Sequence, residues 1–171
     1  MRLKIFGALT RLFAAEPAYA HCDIPCGIYD PHAAQVAAQT VIRMNQLIQG
    51  LTLPDPTANK TAVDTYVNSM SRYIATKEHH AELVKKEVLI LWGDYFRPEH
   101  LEKFPDLHAT VWNTVKLAGR NKQTVDMQAA QDLLAGVQRI AEIFWATKGV
   151  SVRRQPSLQN VGGETVYPVA E

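Results

Sequence analysis

Apolar residues recur at helical spacing along most of this chain. From Pro31 to about Gln49, Ala34, Ala38, Val41 and Ile48 are three, four or seven residues apart. That spacing keeps them on one helical face. Pro31 suits a first helical turn, Asp30 supplies a cap, and Gly50 ends the run. The segment Leu51-Thr52-Leu53-Pro54-Asp55-Pro56 reads as a linker. A second, long helical stretch follows to about Tyr95, with room for one break. Val84, Val88, Leu91 and Tyr95 share a face of it. Pro98 and Pro105 bracket a predicted loop, Arg97 to Phe104. A third helix is predicted from about Asp106 to Ala118. A fourth starts near Thr124, taken as its cap, and ends by Lys148-Gly149. Its stripe is Leu133, Val137, Ile140, Ala141 and Phe144. Four amphipathic segments with no convincing strand predict an all-α fold, an antiparallel four-helix bundle over residues 31–150. Residues 151–171 hold Pro156, Gly162-Gly163 and Pro168 with little periodicity, which predicts a flexible C-terminal tail.

Length and charge narrow the function classes. A chain of 171 residues can bury one substantial core. Its formal net charge of +1 gives no pull toward nucleic acid or anionic membrane. No apolar run is long enough to span a bilayer. No internal repeat, glycine-rich phosphate loop, Ser–His–Asp pattern or paired-carboxylate signature is visible. Residues 1–20 have a basic start, an apolar middle and small residues at Ala18 and Ala20. They read as a removable leader. Arg11 interrupts the apolar stretch, so a cytoplasmic protein is expected, with export the alternative if the leader acts as a signal peptide.

The candidate chemistry lies directly behind that leader, in His21-Cys22-Asp23-Ile24-Pro25-Cys26-Gly27-Ile28-Tyr29-Asp30-Pro31. Cys22 and Cys26 are the chain's two cysteines. Their C-x3-C spacing is neither the C-x2-C redox motif nor a zinc knuckle. A disulfide between them would close a very small loop and restrain the unfolded chain little. Cutting after Ala20 would make His21 the N-terminus. The hook would then offer a free amine, an imidazole, an amide nitrogen and two thiolates. The His21 amine and the Cys22 amide nitrogen are adjacent on the backbone and chelate in a five-membered ring. The Cys22 sulfur closes a further ring, and the turn at Ile24-Pro25 can return Cys26 to the same metal. A tetragonal nitrogen–sulfur set suits Ni(II) or Cu(II) better than zinc.

This hook resembles the nickel-binding hook of the nickel-containing superoxide dismutases. Leu89-Ile90-Leu91-Trp92-Gly93-Asp94-Tyr95-Phe96-Arg97-Pro98 and His100-Leu101-Glu102-Lys103-Phe104-Pro105-Asp106-Leu107-His108 resemble that family's middle region. Ile143-Phe144-Trp145-Ala146-Thr147-Lys148 resembles its C-terminal helix. The resemblance covers roughly residues 21–148, less a longer stretch between Gly50 and Glu78. It implies disproportionation of superoxide at one nickel ion per subunit, cycling between Ni(II) and Ni(III). It implies His21, Cys22 and Cys26 as metal ligands, with the His21 imidazole axial in the oxidised state. Asp23 and Tyr29 match residues lining the substrate approach, and Tyr95 matches a tyrosine behind the ligands. A homohexamer, a leader-cleaving protease and a hook ordered by its metal are implied as well.

The chain departs from the family where the axial imidazole is held. A glutamate and its partner arginine are replaced by Ala37 and His80. Ala37 cannot accept a hydrogen bond, and such a partner normally orients a ligating histidine. The Ile28 carbonyl or a path through His80 is the expected substitute. His79 reads as solvated surface, and His100 and His108 as loop and helix-start residues rather than ligands. The alternative function is a non-catalytic nickel-binding or storage protein that uses the same hook. An exported helical bundle with a Cys22–Cys26 disulfide is a third reading.

Overall fold

A computed structural model describes residues 27–169. Helix α1 spans His32–Gln49, α2 Lys60–Ile90, α3 Pro98–Lys103, α4 Leu107–Gln123 and α5 Met127–Thr147. A π-helical turn, Leu91–Tyr95, continues α2. α1 and α4 each pack on both α2 and α5, so the four long helices close a bundle around one core. Every residue of the predicted α5 stripe is buried, as are Val84, Val88 and Leu91 on α2. The α1 face is built from Ala34, Ala37, Ala38 and Val41, whose small side chains let its neighbours approach closely. Gly136 does the same for α5. A Cβ there would lie 2.3 Å from Thr114 Oγ1 on α4.

The helix ends show where sequence reading succeeds and where it misplaces a boundary. The His32 amide donates to Asp30 Oδ1 at 2.7 Å, and Gly50 closes α1. The fourth long helix is capped by Asp126, whose Oδ1 accepts from the Ala129 amide at 3.0 Å. Thr124 is instead the residue after α4, and its hydroxyl donates back to the Arg120 carbonyl. α4 therefore runs beyond Ala118 to Gln123. Its last turn is held by Lys77 of α2, which is 2% exposed. The Lys77 ammonium donates to the Asn121 carbonyl and, at 2.7 Å, to the Thr124 carbonyl. A cation suits the negative end of a helix dipole. Arg97 to Phe104, expected as a loop, contains α3, with Pro98 in its first turn.

The expectation of no strand and a flexible tail is corrected. Val152–Pro156 (β1) and Glu164–Pro168 (β2) form an antiparallel hairpin with Arg154 opposite Val166. Gln35 of α1 holds its outer edge as a neighbouring strand would. Its Nε2 donates to the Val166 carbonyl at 3.0 Å, and its Oε1 accepts from the Val166 amide at 2.8 Å. Gln39 donates to Thr165 Oγ1, and Gln138 of α5 donates to the Glu164 carbonyl at 2.7 Å. The missing periodicity has a physical reason. The hairpin is fixed by glutamines sixteen or more residues away in sequence, and only Thr165 and Val166 among the strand residues are buried. No described helix is long and apolar enough to cross a membrane.

Candidate metal-adjacent site

The chain enters the described structure at Gly27, the residue after Cys26. Gly27 has φ +70°, a conformation that L side chains rarely adopt. Three residues later, Asp30 and Pro31 lock into the start of α1. Gly27–Asp30 is thereby delivered to the end of the bundle where α2 turns π-helical. The Phe96 amide donates to the Leu91 carbonyl at 2.9 Å, a five-residue step that closes this wide turn. Such turns often mark functional positions because the extra residue changes the direction of the side chains.

Tyr95 closes that turn and forms the floor of the site. Its ring lies 4.6 Å from Phe144, 5.5 Å from Tyr29 and 5.7 Å from His100, against which it stacks. The Tyr95 hydroxyl is 2.6 Å from Thr147 Oγ1. Thr147 gives its own hydrogen to the Phe144 carbonyl at 2.6 Å, so the Tyr95 hydroxyl donates to Thr147. The Lys148 ammonium stands 5.5 Å from the Tyr95 ring centre and 5.0 Å from that of Phe144, within cation–π range.

Tyr29, Tyr95, Gly27, Asp94, Arg97, Glu99, His100 and Lys148 line a cleft of about 410 Å³. Arg97 and Lys148 face Asp94 and Glu99 around its rim, so the rim is balanced in formal charge. An anion therefore meets local cations there rather than a broad positive field. Sequence reading named Tyr29 and Tyr95, and the fold brings them together. His80 does not line this cleft. Its Nδ1 meets the Thr76 carbonyl at 2.8 Å, and its Cα precedes that of Tyr95 by fifteen residues of helix, about 22 Å of rise. Ala37 is 1% exposed within the core. His21, Cys22, Asp23 and Cys26 lie outside the described residues.

Sequence reading missed Arg97, His100, Thr147 and Lys148. The only signal for them was their place inside the two stretches that carry the family resemblance. Among the described residues, no group of three or more His, Cys, Asp or Glu could hold a metal ion. The thiolates and nitrogens expected from the sequence as nickel donors belong to residues 21–26.

Comparison with known proteins agrees with this geometry. The family model described as nickel-containing superoxide dismutase matches residues 16–148. The nickel superoxide dismutase of Streptomyces coelicolor is 38% identical over 141 residues, covering 82% of this chain and 98% of that protein. That of Streptomyces seoulensis is 36% identical over the same length, with the same coverage. A native nickel superoxide dismutase structure superposes with a TM-score of 0.63 at 38% identity, covering 75% of this chain and 99% of that one. An apo structure of the enzyme gives a TM-score of 0.61 at 35% identity, covering 72% of this chain and 99% of that one.

Proposed function

The chain belongs to the nickel-containing superoxide dismutase family, and on that premise we propose that it disproportionates superoxide to oxygen and hydrogen peroxide. Two superoxide anions and two protons yield one molecule of each product. Nickel supplies the one-electron cycle between Ni(II) and Ni(III). His21, through its amine and imidazole, holds the metal together with the Cys22 amide nitrogen and the Cys22 and Cys26 sulfurs. The observation that carries this reading is that Gly27, the residue after Cys26, and Tyr29 line the same cleft as Tyr95.

The chain's own residues then have distinct tasks. Asp23 and Tyr29 line the approach of the anion. Lys148 and Arg97 attract it at short range. Tyr95 is held in place by Thr147, Phe144 and His100 and supports Tyr29 from behind. With Ala37 unable to accept a hydrogen bond and His80 away from the cleft, the His21 imidazole is oriented by the Ile28 carbonyl. Removal of residues 1–20 by a protease is obligatory, because an acylated His21 nitrogen cannot be an amine ligand. The mature subunits assemble as a homohexamer in the cytoplasm.

The test compares nickel-loaded protein beginning at His21 with nickel-loaded uncut protein. Dismutation is expected only in the cut form. Full nickel occupancy without turnover in either form would overturn the enzyme reading and leave nickel binding or storage.

A further inference from the structure

The first half of α2 carries an apolar stripe that the rest of the described chain leaves uncovered. No residue from Lys60 to Thr76 is buried. Val63, Val67 and Ile74 are 41%, 53% and 37% exposed, with Met70 between them half-buried. These four positions begin a longer series: 63, 67, 70, 74, 77, 81, 84, 88, 91. Its steps alternate between four and three residues without a break, the signature of a helical seam that faces another helix. From Lys77 onward every member of the series is buried in the bundle. Before Lys77 the same seam is bare over seventeen residues, about 25 Å of helix.

We propose that this half of α2 is a self-association surface, on which two copies of the chain pair antiparallel. The stripe is close to palindromic in size. A two-fold axis between Val67 and Met70 sets Val63 against Ile74 of the second copy and Val67 against its Met70, giving four filled layers. The flanks agree with the same axis. On one side Tyr66 meets Tyr73 of the second copy. On the other, Asp64 stands beside Ser71 of the second copy, a small residue whose hydroxyl donates to its own Val67 carbonyl. No charged residue lies in the four layers, and Arg72 is on the opposite face of the helix. Beyond the layers the axis sets Lys60 near Lys77 of the second copy, but Lys60 pairs with Asp64 within its own chain. The Lys77 ammonium is turned into the bundle, onto the Asn121 and Thr124 carbonyls. Antiparallel pairing also places the two bundles, each beginning at Lys77, at opposite ends of the contact. Parallel pairing would set them side by side on the same stretch. A seam of this length buries on the order of 1,000 Å² in total, near the lower limit for a specific interface, so the pair is reversible. Because this contact uses neither the hook nor the cleft, it stands apart from the proposed catalytic function.

The test is the solution mass of the full chain by sedimentation equilibrium. Val67→Glu and Met70→Lys are each expected to lower the mass at least two-fold, with an unchanged circular dichroism spectrum. Arg72→Glu is expected to leave the mass unchanged. Mixing the Val67→Glu and Met70→Lys proteins is expected to restore the larger species. Only an antiparallel pair puts position 67 of one copy against position 70 of the other. Equal masses for the parent and Val67→Glu proteins would overturn the proposal. Loss of mass without restoration on mixing would overturn the antiparallel register. A Val67-dependent rise in mass seen only after deletion of residues 1–20 would assign the stripe to the leader and likewise overturn the proposal.

Discussion

Lys77→Met is the substitution whose cost the fold makes most explicit. Methionine nearly matches lysine in length and suits an apolar site, so a cavity contributes little. What disappears is an ammonium that donates to the Asn121 and Thr124 carbonyls at the end of α4. A third carbonyl, that of Lys122, lies 3.5 Å away and contributes less. The two main acceptors remain in place without their donor, at roughly 1–2 kcal/mol each. Loss of a cation at a helix C-terminus adds about 0.5–1 kcal/mol. An opposing effect exists, since removing a buried charge relieves its desolvation. Burial indeed holds the Lys77 pKa below its ordinary 10.5, against a smaller upward pull from Glu78. Relief of that kind prevails when both partners are replaced by apolar groups, whereas here only the donor is. The net expectation is a loss of about 2–3 kcal/mol, or a fall of about 5–10 °C in Tm for a chain of this size. Urea and thermal denaturation at neutral pH measure it. Dismutation per folded, nickel-loaded molecule should not change, because Lys77 is about 27 Å of helix rise from Tyr95. A Lys77→Met protein as stable as the parent would refute the claim that this ammonium secures α4.

Four further outcomes follow from the same structure. Gly136→Ala should destabilise by about 1–2 kcal/mol despite alanine's better helix propensity, since its Cβ meets Thr114 Oγ1 at 2.3 Å; adding Thr114→Ala should recover most of the loss in a double-mutant cycle. Gln35→Leu strands the Val166 amide and carbonyl and should cost about 2–4 kcal/mol, with faster amide exchange confined first to residues 152–168. Lys148→Glu should lower kcat/KM several-fold at low ionic strength, with the gap narrowing as salt is added. Acid lability should appear as a Tm that is flat near neutrality and falls below about pH 4. Arg139 holds the Asp106 carboxyl below its usual 3.8, and the Ala129 amide, followed by Arg120, does so for Asp126. A depressed carboxylate stabilises the fold above its unfolded value and loses that contribution as pH falls through the folded one. Asp106→Asn should therefore flatten the decline while changing little at pH 7.

The helices were legible because each buries a continuous stripe, and burial is what three- and four-residue spacing encodes. Leu133 to Phe144 shows this most plainly. Boundaries were less legible where a distant residue sets them. Nothing near Ala118 says that α4 continues, because the group that holds its last turn is Lys77, some forty residues earlier. The hairpin was invisible for the same reason. Its edge is satisfied by Gln35, Gln39 and Gln138, which in sequence look like solvated helix positions.

The site divides along the same line. The metal-donor expectation rests on contiguous residues outside the described structure: one short hook offers the amine, imidazole, amide nitrogen and thiolates, so the expectation depends on composition and order alone. The cleft lined by Gly27, Tyr29 and Tyr95 was only half legible. Tyr29 arrives from the hook, Tyr95 from the π-helical turn, His100 from α3, and Lys148 from the residue after α5. Tyr95 continues the α2 stripe in sequence, and on spacing alone it is one more core residue. At the end of the π-helical turn it packs on Phe144 and also meets Tyr29. A single widened turn thus joins the bundle's packing to the cleft that Gly27 and Tyr29 line. The catalytic reading needs both parts, a contiguous donor set and a rigid aromatic floor assembled from distant segments.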